Sequence, residues 1–104
     1  MNITIQTVNF KESKKLTTFI NSKVGKLFKQ SSELIRADVT LKEGAKNNLT
    51  NKWCSIYISH PGENLFVKRN STSYEESILL ATEAMEKILR RRKTKMVNQR
   101  NDPS

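Results

Sequence analysis

Two short stretches of the chain, Ile35-Ala37-Val39-Leu41 and Cys54-Ile56-Ile58, carry apolar side chains at every second position. Trp53, Ser55 and Tyr57 fill the alternate positions of the second stretch. Successive strand residues point to opposite faces, so each stretch reads as a strand with one buried and one open side. This alternation constrains the fold more than any other feature, because a one-sided sheet needs a cover. The chain supplies two. Leu16, Phe19, Ile20, Val24 and Leu27 recur at three- and four-residue spacing, and so do Tyr74, Ile78, Ala81, Met85, Ile88 and Leu89. Each set forms an apolar stripe along one helix.

The remaining elements follow from local chemistry. Ile3, Ile5 and Thr7 alternate with polar residues, so residues 2–8 are expected to form a first strand. Ser13 stands where a cap would open a helix reaching about Gln30. Glu43 to Asn51 is polar and is expected to be a mobile hairpin loop. Pro61-Gly-Glu-Asn64 has strong turn chemistry, and Leu65 to Ser71 returns as a fourth strand. Ser73-Tyr-Glu-Glu76 matches a capping box, in which Ser and Glu each satisfy the other's free backbone N–H. The expected fold is α+β, β-α-β-β-β-α, a four-stranded sheet with two helices packed on one face. A chain of 104 residues has room for one core. The domain is placed at residues 1–96, and 97–104 is read as a short disordered tail with little to bury.

Little points to catalysis. His60 is the sole histidine, and the sequence offers no recognisable constellation of nucleophile and orienting carboxylate around it. It is read as an ordinary turn or surface residue. Cys54 alternates with Ile56 and Ile58 and is read as a buried structural thiol. One Cys and one His make no metal-ligand spacing, and the three glycines are isolated, so no metal, cofactor or small-molecule substrate is expected. Trp53 and Tyr57 offer a stacking platform for bases on the open face. The plainer reading is that they shield that face or pack against Phe66.

Charge is the remaining signal. The chain carries a formal +9. From Lys87 onward seven Lys/Arg face one acid, Asp102, so most of the excess sits at the end of the last helix. Relative to Met85, helical projection turns Lys87, Arg90 and Arg91 outward. The acids stop at Glu86, so nothing nearby is expected to neutralise the cluster. Lys14, Lys15, Lys26 and Lys29 lie on the polar side of the first helix, with Lys23 near the edge of its stripe. A shared positive surface of this kind suits a polyanion, where each neutralised phosphate releases counterions. No apolar run approaches the ~20 residues of a membrane span. The opening residues do not resemble a secretory signal, and a single cysteine fits a reducing setting, so a cytoplasmic location is expected.

Four segments carry a family resemblance: Asn2-Ile-Thr-Ile-Gln-Thr-Val-Asn-Phe10, Lys23-Val-Gly-Lys-Leu27, Ala37-Asp-Val-Thr-Leu-Lys42, and the helix from Ser73-Tyr-Glu-Glu through Met85-Glu-Lys-Ile-Leu-Arg-Arg-Arg-Lys-Thr-Lys95. In their order, and with this length, the chain resembles the ribosome hibernation promoting factor family, also called the sigma-54 modulation or ribosome-associated inhibitor family, in its short form. The resemblance implies binding to the small ribosomal subunit between head and body. There the protein would block the mRNA path and tRNA sites during starvation or stationary phase. It also implies rRNA phosphate contacts at Lys23, Lys26 and Lys29 of the first helix and at Lys87, Arg90, Arg91, Lys93 and Lys95 of the second. Ala84 replaces a position often basic in the family. Arg92 projects toward the core side, or else reaches past the sheet edge to RNA. Longer members append a dimer-promoting domain, so ribosome pairing by this chain would need a separate dimerisation factor. The alternatives are a general RNA-binding domain of double-stranded-RNA type and a basic protein-interaction module. The former is disfavoured because Tyr74-Glu-Glu-Ser77 stands where its signature lysines would open the last helix.

Overall fold

The computed structural model describes residues 2–11 and 13–100, with side chains described through Arg92. The elements run β1 (Ile3–Val8), α1 (Lys14–Gln30), β2 (Arg36–Glu43), β3 (Lys52–Ser59), β4 (Leu65–Ser71) and α2 (Tyr74–Arg100). The strands lie in the order β1-β2-β3-β4, with β1 parallel to β2 and the other pairs antiparallel. The α+β arrangement is the expected one. The end of the domain at residue 96 and the tail fall where side chains or whole residues lie outside those described.

Alternation fixes which face is covered. Ala37, Val39 and Leu41 of β2 register against Ile58, Ile56 and Cys54 of β3, and Leu65 and Val67 of β4 continue the same rows. All eight are buried, and they share one core with Ile20, Val24 and Leu27 of α1 and Ile78, Ala81, Met85 and Leu89 of α2. Both helices therefore lie on one side, and the opposite side of the sheet is open. Ile35 departs from the pattern. It precedes the strand, donates its N–H to the Ser59 carbonyl at 3.0 Å, and is 56% exposed.

Capping is simpler than expected. Ser13 does occupy the N-cap of α1, but its side chain makes no cap bond, and Thr17 donates to the Ser13 carbonyl instead. At α2, Ser73 Oγ accepts from the Glu76 N–H at 3.2 Å, which is half of a capping box. Ser77, fully buried, adds a bond to the Lys52 carbonyl of β3 at 2.5 Å. Phe10 stacks on Tyr74 with ring centroids 4.5 Å apart. Lys52 reaches over the Tyr74 ring and pairs with Glu43 at 2.9 Å. That hydrogen bond and charge hold the Glu43 carboxyl below the usual carboxylate range, while burial and then Glu43 push the Tyr74 phenol up to about 12. These contacts fix the start of α2 beside the start of β3.

The polar loop after β2 is bonded to itself. Gly44 donates to the Asn51 carbonyl at 2.7 Å, and Asn51, buried, returns a side-chain bond to Ala45. In the β3–β4 turn, Glu63 donates to the His60 carbonyl at 3.1 Å, and Gly62 takes φ +83°, a value that side chains disfavour. Burial raises the Cys54 thiol to about 12. A thiol-specific disulfide reagent at pH 8 should therefore label Cys54 only as fast as the fold opens, and full labelling within minutes in the native state would place it elsewhere.

Candidate nucleic-acid interface

Topology decides where the basic residues meet. β1 and β2 are parallel, so α1 must run back against β1 to join them. β4 runs in the direction of β1, and α2 turns back from it after Thr72 and Ser73. The two helices therefore point the same way, and their C-terminal halves lie at one end of the molecule. The carbonyl ends of both macrodipoles are also there, and they favour cations.

The side chains at that end follow the projection. Lys26 and Lys29 of α1 and Lys87, Arg90 and Arg91 of α2 are exposed, as are Lys14 and Lys15 farther back on α1. Lys23 is half-buried, its ammonium 5.5 Å from the centroid of Phe19, so its stem covers that ring while the charge stays near water. The side chains of Lys93 and Lys95 lie outside the described residues. Gly25, on α1 between Val24 and Lys26, is buried.

Three acids alter the expected field. Glu86 accepts from Arg90 at 3.0 Å, an i,i+4 pair on the helix surface. Glu63, in the β3–β4 turn, pairs with Arg92. The expectation that nothing neutralises the cluster is thus corrected at these two positions. Arg92 neither packs into the core nor extends freely. It folds back to a residue 29 positions earlier in the chain, and its side chain is 28% exposed. Glu33, in the α1–β2 connection, lies 3.2 Å from His60 Nε2, and the other ring nitrogen faces the Pro61 carbonyl at 3.1 Å. His60 is therefore a buried turn residue and not a surface one. Its two ring nitrogens face a carboxylate and a carbonyl, contacts that tie the turn to the connection after α1.

The Arg90–Glu86 pair is exposed on both sides, so it contributes little to stability. Glu86→Gln should leave the melting temperature within about 2 °C, equivalent to less than ~0.5 kcal/mol. It should also tighten binding to a polyanion, because Arg90 loses its competing partner. A heparin-column salt elution that does not move upward would count against Arg90 facing the ligand. Among the described residues, no three His, Cys, Asp or Glu side chains converge to hold a metal. No helix among them is long and apolar enough to cross a membrane.

A family model described as sigma 54 modulation protein / S30EA ribosomal protein matches residues 3–97, nearly the whole chain. The chain belongs to this family. Membership in the S30EA family ties it to the ribosome. Among solved structures, it is similar to a ribosomal subunit interface protein from Coxiella burnetii, with a TM-score of 0.79 at 17% identity, over 90% of this chain and 99% of that one. It is also similar to the N-terminal domain of Thermus thermophilus Protein Y, with a TM-score of 0.74 at 18% identity, over 88% and 98%. At such identities the two structures establish the S30EA fold. No curated protein sequence matches.

Proposed function

We propose that the protein is a ribosome hibernation factor. It binds the small ribosomal subunit in the mRNA and tRNA channel and inhibits translation by occlusion during stress or stationary phase. The observation that carries this reading is the convergence of two parallel helix ends, with Lys26, Lys29, Lys87, Arg90 and Arg91 exposed at one end of a chain of this family. A pair of helices offers a broad cationic surface, suited to the phosphates of a folded RNA. Lys23 joins from the edge of α1, and Lys93 and Lys95 are assigned to the same contact by their place in sequence. No step of this mechanism makes or breaks a bond. The protein is a plug held by phosphate contacts, and its location would be that of the ribosomes it binds.

The test is co-sedimentation with ribosomes and separated subunits across a salt series, with translation assayed in parallel. Binding to the small subunit near physiological salt, together with inhibition, is the expected result. Binding only at low salt, with translation unaffected, would reduce the helix ends to a non-specific polyanion patch.

A further inference from the structure

The side of the sheet away from the helices is open, and its chemistry is unlike that of a simple solvated face. In register, Tyr57 of β3 lies directly across from Phe66 of β4, and Phe66 is 59% exposed, far more than a ring placed for packing. One step along the strands, Ser55 faces Lys68, and Thr40 faces Ser55 from β2. Lys68 holds its ammonium 4.7 Å from the centroid of Trp53. Trp53 is therefore occupied as the seat of a cation, and its indole edge is closed by the loop: a Cβ at Gly44 would lie 3.0 Å from Nε1. The platform is thus Tyr57 with Phe66 and not Trp53 with Tyr57, the pair that the sequence offered only as the less plain reading.

On the same face Lys68 of β4 stands one row along from Phe66, and Lys42 of β2, exposed opposite Trp53, stands two rows along from Tyr57. Asp38, which neighbours Tyr57 in register, is paired with Arg36 at 3.2 Å and adds no net negative charge. Phe66 is exposed and Tyr57 half-buried beside it; such rings give a base a stacking surface whatever its identity, and nearby ammonium groups give its phosphates a partner. Hydroxyls at Thr40 and Ser55 line the row between them. A protein partner would want contiguous apolar surface, and here lysines and hydroxyls break it up.

We propose that this open face is a second nucleic-acid surface, which takes a short single strand by stacking bases on Tyr57 and Phe66 with Lys42 and Lys68 at the phosphates. It lies on the opposite side of the sheet from the helices, so it does not depend on the helix contact proposed above. One chain could then hold folded RNA on one side and an unpaired segment on the other.

Trp53, the only tryptophan, reports on this face directly. Titrating the full chain with a ten-nucleotide oligouridylate should change its fluorescence saturably. Phe66→Ala should weaken that binding by about tenfold, within the range for losing one stacked base, while Phe66→Tyr should retain it. Lys87→Ala/Arg90→Ala/Arg91→Ala should keep the fluorescence change, which separates this face from the helix end. Equal affinity in Phe66→Ala and the parent would overturn the proposal, as would a fluorescence change abolished by the helix variant. If the oligouridylate does not bind and Phe66→Ala abolishes self-association seen by sedimentation, the face is instead a protein-docking surface and the proposal fails.

Discussion

Replacing Lys87, Arg90 and Arg91 together with alanine should reduce ribosome affinity by about a hundredfold at 0.15 M salt and flatten its salt dependence. The size follows from counterion release: each phosphate contact contributes roughly 0.9 to the log–log slope, and so about fivefold in affinity at that salt. Three contacts should remove about 2.7 from the slope. All three side chains are exposed, so the fold should survive, and circular dichroism should match the parent. Arg90→Ala also leaves Glu86 without its partner, which adds repulsion toward RNA. Lys26→Ala/Lys29→Ala should act in the same way through the parallel helix, with about two-thirds of the slope change. A slope unchanged in the triple variant would remove the end of α2 from the interface, whatever the absolute affinity.

Local periodicity was enough to recover the architecture. The alternation of Val39, Leu41, Ile56 and Ile58 identified the buried side of the sheet, and the stripe from Ile78 to Leu89 gave the phase of α2, because burial acts on each residue through its own spacing. Where the reading of β2 fell short, the controlling contact is non-local, the Ile35 N–H bond to Ser59. Ile35 continues the alternation of β2, yet it lies outside the strand and stays exposed. Ser13 and Glu76 are the right residue types at the right positions, but whether a cap bond forms depends on a rotamer that sequence does not set.

The same distinction runs through the candidate site. Exposure of Lys26, Lys29, Lys87, Arg90 and Arg91 was legible, since projection on a helix depends only on spacing. The neutralisation was not. Glu63 meets Arg92 only because the β3–β4 turn closes beside the end of α2, and Glu33 meets His60 only because β2 pairs with β3. The i,i+4 spacing of Glu86 and Arg90 was a visible signal for the remaining pair, one that a count of net charge hides. The shared direction of the two helices required the strand pairing as well.

Met85→Ala should destabilise the domain by ~2–5 kcal/mol, the usual range for emptying a buried site of this size. Met85 is fully buried in the core that α2 shares with α1 and the sheet, with Ile78, Ala81 and Leu89 on its own face of the helix. Its thioether and methylenes fill space that the surrounding strands cannot fill by collapsing, because β-sheet backbone is held by its ladder. For a domain of this length the loss corresponds to a fall of about 10–30 °C in melting temperature. Leu80→Ala is the matched control, since Leu80 is 38% exposed on another face of the same helix and its truncation should cost under ~1 kcal/mol. The two outcomes together fix the phase of α2. Met85 anchors the helix from within, and the same rotation that buries it carries Lys87, Arg90 and Arg91 outward. A mild Met85→Ala with a severe Leu80→Ala would turn those three inward and remove the basis for the cationic surface.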